Sequence, residues 1–307
     1  MPGHEICGSV MEVGSGVPSE CTHKVGDVVL VYPWTGCRKC EYCKADVSHM
    51  CPNNKVSTTD IGRGYDGRKH GGFQSVFPLE EWHFALKLPT TIPPHVGCMM
   101  PCSAITSFVA LQKCRPAIEF GIKHRGQGKL LIIGIGGLGS WALIIAKTMY
   151  GEKIHITCVD ITEEKMAAAK AMKADDAVVL PREATAEDAT ALFTANGKQD
   201  ACIDIVGLPK TIEACFWSIQ NAGIVVPIGI GGGKLSVATP TLIGRSLSLM
   251  GSRTGSIGQV REMMAMFAEK GFYTLPPMEY VTLEQVNDVF KRMKTGTVNG
   301  RAIIKFD

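Results

Sequence analysis

The sequence predicts an α/β protein in which a doubly wound parallel sheet is joined to a second, β-rich domain. Residues 1 to about 100 contain short apolar runs such as Val28–Val31, separated by Gly, Pro and Asp, which is typical of all-β structure. From about residue 104, strand-like runs alternate with helical patterns, and this alternation predicts βαβ units with parallel strands. A change of fold class therefore falls near residue 104.

The elements of the second half follow one another along the chain. Strands are predicted at 130–133, 154–159, 200–206, 224–230 and 246–250. Helices are predicted near 138–150, 162–173, 210–220 and 259–270. The tail, residues 278–307, is predicted to hold one more helix and a final strand at 301–306.

Composition excludes several classes of protein. The 32 Lys and Arg residues against 29 Asp and Glu give a net charge of +3, too small an excess to predict a nucleic-acid or anionic-membrane partner. Glycines break the apolar stretches well short of the roughly 20 residues that cross a bilayer. Twelve cysteines without a visible signal peptide favour reduced thiols and a cytoplasmic location, with some thiols as metal ligands.

One stretch, GCRKCEYCKADVSHMC, has the spacing of a metal site. Its cysteines are Cys37, Cys40, Cys43 and Cys51, a C-x2-C-x2-C-x7-C pattern in which three thiolates of a tight loop converge and the fourth closes a tetrahedron. Zinc is the natural occupant, and an all-Cys site is structural because no position stays open for substrate. The alternatives are four unrelated buried thiols, or an iron–sulfur cluster, since Pro52 follows the last Cys as in bacterial ferredoxins.

A glycine-rich turn follows the first strand of the α/β half and precedes a helix. Its G-x-G-x-x-G pattern permits a tight turn and a close approach to a pyrophosphate, so we predict cofactor binding by Gly134, Gly136, Gly137, Leu138 and Gly139. Asp160 ends the next strand, 21 residues after Gly139, where a carboxylate can accept hydrogen bonds from ribose hydroxyls. The same carboxylate would repel a 2′-phosphate, which favours NAD over NADP. The alternative is a glycine-rich loop without a ligand.

The order of these motifs resembles that of the zinc-dependent alcohol dehydrogenases of the medium-chain dehydrogenase/reductase family. Gly3-His4-Glu5 precedes the four-Cys lobe, which precedes the Rossmann unit, and the resemblance covers essentially the whole chain. It implies a GroES-like β-rich catalytic domain at 1–103, a Rossmann domain at 104–253 and a return to the catalytic domain at 254–307. It also implies hydride transfer between a small alcohol or aldehyde and NAD, by a homodimer or homotetramer.

The resemblance implies roles for single residues. His4 and Cys102, the latter in CSAITSFVAL, correspond to ligands of a catalytic zinc; Glu5 lies beside that metal and Thr106 faces the nicotinamide. Cys98 has no matching role. The remaining implied cofactor residues are Lys165 at the adenosine ribose, Arg301 at the pyrophosphate, and Val206, Ile228, Ser252 and Arg253 at the nicotinamide half. Residues 32–34 fall where the family has a pocket wall, with packing of the lobe as an equal alternative.

One family feature is missing from the printed sequence. The family has a further catalytic Cys upstream of its Gly-His-Glu motif, near the Ser or Thr that begins a proton relay, and neither precedes His4 here. Cys7 is no substitute, because on a strand it would face away from His4. We therefore expect an N-terminally incomplete catalytic domain and an impaired dehydrogenase that still binds NAD. The rival interpretations are a non-catalytic NAD-binding protein and a zinc-free enzyme similar to quinone reductases.

Overall fold

The computed structural model describes residues 2–53 and 71–306 of the chain. Its N-terminal part contains an antiparallel sheet whose strands lie in the order β1-β2-β3. The elements of this part are β1 (Ile6–Ser9), β2 (Val28–Val31), α1 (Glu41–Lys44), β3 (Ala85–Lys87) and α2 (Pro94–Gly97). The run Val28–Val31 forms the central strand because its β-branched and leucine side chains can be buried between two neighbours.

A long helix, α3 (Ile105–Arg125), joins the small sheet to the α/β part. A π-helical turn, Met100–Ala104, leads into it, and Gly126 ends it in the left-handed conformation at φ +80°. The sequence patterns did not predict this helix. Buried side chains occupy almost every position from 105 to 111, so no polar face alternates with the apolar one, and Pro116 lies inside the helix.

The α/β part is built on a six-stranded parallel sheet with the order β6-β5-β4-β7-β8-β9. Its strands are β4 (Gly128–Ile133), β5 (Ile154–Asp160), β6 (Asp176–Val179), β7 (Gln199–Asp204), β8 (Ile219–Pro227) and β9 (Ser248–Leu249). Its helices are α4 (Gly137–Tyr150), α5 (Glu163–Ala171), α6 (Ala186–Phe193), α7 (Pro209–Ser218) and α8 (Thr239–Gly244). The predicted doubly wound Rossmann sheet is thus confirmed, although β6, α6 and α8 were not foreseen.

The strand order fixes where a ligand can bind. From β4 the chain winds outward through β5 and β6, then crosses back to β7 and winds outward in the other direction. The order reverses between β4 and β7, and open parallel sheets bind their ligands in the crevice at the carboxyl ends of such strands. The core beneath that crevice is mainly apolar, with Trp141 of α4 as its largest completely buried side chain.

The tail of the chain packs against the N-terminal part. It contains β10 (Met278–Val281), α10 (Val286–Thr295) and β11 (Arg301–Ile304), and the helix α9 (Ile257–Lys270) precedes it. The parallel pair β10 and β11 forms a separate small sheet. The ring of Tyr280 meets that of His95 edge to face with centroids 5.9 Å apart. Within residues 2–53 and 71–306, no helix combines the length and apolar character needed to cross a membrane.

Candidate active site and zinc lobe

The four predicted lobe cysteines converge on one point. Their sulfur atoms all lie within 4.8 Å of one another. The Sγ of Cys40 is 3.6 Å from those of both Cys43 and Cys51. A tetrahedral zinc with Zn–S bonds of about 2.3 Å would separate its sulfur ligands by about 3.8 Å. The lobe therefore has the dimensions of a single-ion site.

Local structure and electrostatics prepare the lobe for a cation. Helix α1 begins directly after Cys40 and carries Cys43 back over the loop, and a Cβ at Gly36 would strike the Cys43 sulfur. Backbone N–H groups, first that of Lys39, lower the pKa of Cys37 to about 6. Burial raises the pKa of Cys43 to about 12, so its thiolate needs a bound cation. Four thiolates with no open position fit a structural zinc.

His4 and Cys102 form a second pair of possible metal ligands. The Nε2 of His4 lies 3.2 Å from the Sγ of Cys102, although 98 residues separate them in the chain. Zn–N and Zn–S bonds of about 2.0 and 2.3 Å at a tetrahedral angle would separate these atoms by about 3.5 Å. Cys102 sits in the π-helical turn Met100–Ala104, a local geometry that is frequent at functional sites. The pair fits two corners of a zinc site.

Burial sets the protonation of this pair. It lowers the pKa of His4 to about 4, with the nearby Arg301 cation as a second cause, so the imidazole is neutral at pH 7 and keeps a lone pair for a metal. Burial also raises the pKa of Cys102 to about 12, and zinc binding would release that proton. In the ranges 2–53 and 71–306, no third His, Cys, Asp or Glu completes a three-ligand group with these two.

Glu5 lies beside the pair and connects it to the tail. One of its carboxylate oxygens accepts from the backbone N–H of Ser103, at 2.9 Å, directly after Cys102. The other oxygen forms an ion pair with the guanidinium of Arg301, at the start of β11. Glu5 is therefore held next to the metal ligands without pointing an unpaired oxygen at them.

Arg301 also covers the glycine-rich turn. A Cβ at Gly137 would lie 2.9 Å from its Nη1, so the guanidinium rests on the first residue of α4. Gly134 has φ +93°, and a Cβ at Gly139 would strike the Gly134 carbonyl. A cation and the positive end of a helix thus meet at one place, which suits a pyrophosphate.

Asp160 ends β5 beside this turn. Its Oδ2 accepts from the N–H of Ile135 and its Oδ1 from the N–H of Ile161, both at 2.7 Å, and the Nζ of Lys165 lies 3.5 Å from Oδ1. An ionised carboxylate has about four acceptor sites, so capacity remains for ribose hydroxyls. The backbone contacts fix the carboxylate at the mouth of the crevice.

The remaining predicted cofactor residues lie at three places. Thr106, the second residue of α3, donates its hydroxyl to the Cys102 carbonyl at 2.7 Å. The N–H of Ile228 donates to the Asp204 carbonyl at 2.9 Å, and that of Val206 to its carboxylate at 2.8 Å, so the strand ends of β7 and β8 are tied together. Ser252 and Arg253 follow β9 and are described below.

Trp34 stands between Arg253 and the metal pair. Its ring meets that of His4 edge to face at 5.9 Å, and the Arg253 guanidinium carbon lies 5.7 Å from its centroid. Its indole N–H donates to the Pro101 carbonyl at 3.0 Å. Tyr32, in contrast, is fully buried and donates to the Gly255 carbonyl at 2.6 Å. Trp34 is thus buried between His4 and Arg253, whereas Tyr32 joins two parts of the chain.

A cavity of about 1750 Å³ adjoins the site. It lies between β1, residues 72–79 and the tail, and His4, Glu5 and Arg301 belong to its lining. Ligand pockets usually measure about 300–1,000 Å³, so this space exceeds what a small alcohol would fill.

Comparisons with known proteins show which family the chain belongs to. Residues 137–269 match the family described as zinc-binding dehydrogenase, and residues 1–90 match the alcohol dehydrogenase GroES-like domain. An alcohol dehydrogenase of Geobacillus stearothermophilus is 30% identical over 308 residues, which cover 99% of this chain and 82% of the relative. The chain belongs to the zinc-binding alcohol dehydrogenase family.

A second curated protein and a solved structure are also similar to this chain. A probable cinnamyl alcohol dehydrogenase of Zea mays is 30% identical over 99% of this chain and 77% of its own length. Among solved structures, the acetophenone reductase of Geotrichum candidum, in complex with NAD, shares the fold with a TM-score of 0.77. It is 24% identical and the match covers 99% of this chain and 80% of that one.

Two carboxylates of this alcohol dehydrogenase family member were not singled out from the sequence. Asp204 is fully buried at the end of β7, accepts from the N–H groups of Val206 and Gly207, and accepts from the hydroxyl of Thr211. The sequence feature that could have revealed Asp204 is an acidic residue at the end of an apolar strand, in ACIDIVG. Asp46, inside the four-Cys stretch, makes its contacts more than 200 residues away and left no local signal.

Proposed function

We propose that this chain transfers hydride between an alcohol and NAD, using one catalytic zinc, and so interconverts an alcohol with an aldehyde or ketone. The observation that carries the proposal is the approach of His4 Nε2 to Cys102 Sγ at 3.2 Å, next to a Rossmann crevice. The proposed substrate is a small alcohol or aldehyde; two of the relatives above are named for alcohols. Membership of a zinc-binding dehydrogenase family supports the reaction.

The residues of the site have distinct tasks. His4 and Cys102 would hold the zinc, and Asp160 and Lys165 the adenosine ribose, with Arg301 at the pyrophosphate. When bound, zinc would supply a Lewis acid for the substrate oxygen, and NAD would supply the hydride acceptor. Trp34 shields one side of His4 from water. Glu5 keeps a negative charge beside the metal ligands while its pair with Arg301 and its bond from Ser103 fix its place.

Zinc content and activity test this proposal together. In Cys102→Ser we expect the catalytic zinc, the second zinc of the chain, to be lost and kcat/KM for alcohol oxidation to fall more than about 100-fold. Even mutation of a residue that only hydrogen-bonds a metal ligand typically lowers metal affinity or activity about 10- to 100-fold. Cys98→Ser is the matched control, because Cys98 is a partly buried thiol four residues away whose Sγ contacts the His95 carbonyl. Equal activity in the two variants would contradict the assignment of Cys102.

The second zinc should exchange more readily than the lobe zinc. A catalytic zinc ordinarily has three protein ligands, and the described residues supply two. We therefore expect purified protein to show low alcohol oxidation that rises when zinc is added, while NAD binding stays unchanged. Full activity with two tightly held zincs per chain would contradict this expectation.

We further infer a homodimer or homotetramer in the cytoplasm. Ile230 and Ile243 are 90% and 77% exposed near β9, a two-residue edge strand of the large sheet. Exposed apolar side chains beside an open sheet edge favour association. All twelve cysteines are unpaired, which suits a reducing compartment. Light scattering of wild type and Ile243→Lys tests the assembly, and a wild-type monomer would contradict it.

A further inference from the structure

The segment 252–256 connects the large sheet to α9 and has few hydrogen bonds within itself. The last sheet bond before it joins the Met250 N–H to the Val225 carbonyl at 2.9 Å. Within the described chain, residues 252–254 make no backbone–backbone hydrogen bond, and three buried side-chain atoms here lack a partner: Ser252 Oγ, Arg253 Nε and Thr254 Oγ1. Thr254 has φ +34°, which is strained for a β-branched residue. Such a segment keeps its shape only if neighbours hold it.

The neighbours that hold it belong to the N-terminal part, the zinc lobe and α3. One carboxylate oxygen of Asp46 accepts from the Ser256 hydroxyl at 2.9 Å and from the Gly258 N–H at 2.8 Å. The hydroxyl of Tyr32 donates to the Gly255 carbonyl at 2.6 Å. At the other end, the Nζ of Lys113 donates to the Gly251 carbonyl, also at 2.6 Å. Asp46 is the acid among these contacts, and it lies at the positive end of α9.

The position of Asp46 is itself fixed by the lobe. It lies between Cys43 and Cys51 with φ +58°, in the left-handed region that Asp tolerates better than most residues. Because ligands on both sides of it converge on one point, metal binding in the lobe restricts where its carboxylate can be. The lobe therefore places a charged hydrogen-bond acceptor at a defined point beside the start of α9.

We propose that Asp46 is a positioning residue for the nicotinamide half of NAD. Through Ser256 and Gly258 it holds the segment that carries Ser252 and Arg253, so that cofactor binding does not have to order this segment. The inference rests on the proposed function, because it takes segment 252–256 as the wall of the nicotinamide site. It gives the zinc lobe a part in cofactor binding in addition to its part in folding.

The test compares NAD with ADP-ribose, which lacks the nicotinamide ring. Asp46→Gly removes the carboxylate at a left-handed position that Gly adopts freely, whereas Asp46→Asn keeps an acceptor oxygen and also tolerates that conformation. The matched control is Asp188→Ala: one oxygen of Asp188 likewise accepts from a hydroxyl and an N–H, both of Thr185, at the start of α6, which follows the edge strand β6 rather than the central strands β4 and β7. Zinc per chain is measured in every variant.

In Asp46→Gly we expect the Kd of NAD to rise about fivefold, the equivalent of one lost capping interaction, while the Kd of ADP-ribose changes less than about twofold. Asp46→Asn should recover most of the affinity, and Asp188→Ala should bind both ligands as wild type does. Equal weakening of NAD and ADP-ribose, or no weakening with the lobe zinc retained, would overturn the inference. Absence of hydride transfer in the wild type would instead refute the proposed function, and the binding comparison would still decide the role of Asp46.

Discussion

At the scale of single residues, the site depends on groups whose partners are supplied by other elements. Asp160 is held by the N–H of Ile135 in the glycine-rich turn, so its carboxylate is placed before any cofactor arrives. A fixed negative charge accepts hydrogen bonds from two ribose hydroxyls and repels a phosphate at the same position. We therefore expect selectivity for NAD over NADP to depend on this one carboxylate.

We expect Asp160→Ser to raise the ratio of the NAD to NADP dissociation constants by at least about tenfold, because both the acceptor and the repulsive charge are lost. Titration of each cofactor by fluorescence measures the ratio without turnover. Asp176→Ser, at the start of the neighbouring strand β6, serves as control and should leave the ratio as it is in wild type. An unchanged ratio in Asp160→Ser would refute the assignment of this strand end.

At the scale of elements, what the sequence could predict depended on how local the determinants are. The four-Cys lobe and the glycine-rich turn were predicted from spacing, because 15 and 6 residues contain all their determinants. The pairing of His4 with Cys102 needed a resemblance, since no spacing rule reaches across 98 residues. The helix α3 was missed because it is buried on most sides along its first turns. Asp46 was missed because its bonds join elements 210 and 212 residues apart.

Removing the lobe zinc should destabilise the protein as a whole. Structural zinc sites in peptides bind with on the order of 10 kcal/mol, and part of this free energy stabilises the fold. We expect Cys40→Ser to lose one zinc per chain and to unfold at a lower temperature, while Cys21→Ser, an unpaired cysteine outside the lobe, behaves as wild type. Zinc should also leave the wild-type lobe as pH falls, since protons compete for the thiolates. Unchanged metal content in Cys40→Ser would contradict the site.

At the scale of the whole molecule, the last strand of the chain contacts both the glycine-rich turn and the N-terminal part. Arg301, on β11, touches the glycine-rich turn of the α/β part and pairs with Glu5 beside the metal ligands of the N-terminal part. Three segments that are far apart in sequence thus meet at one guanidinium. We therefore expect cofactor binding and metal binding to be linked through this side chain.

Arg301→Gln should therefore weaken every ligand that carries a pyrophosphate. We expect the dissociation constants of NAD and ADP-ribose to rise together by about tenfold, the worth of one charge-assisted contact, while that of AMP, which has no pyrophosphate, stays near its wild-type value. This pattern differs from that of Asp46→Gly, which should affect NAD alone. Arg292→Gln is the matched control, because Arg292 forms an ion pair with Glu279 at 2.6 Å in the same tail and away from the crevice. If Arg301→Gln bound NAD as tightly as Arg292→Gln, the guanidinium would serve only to pair with Glu5, and the pyrophosphate would be held by the N-terminus of α4 alone.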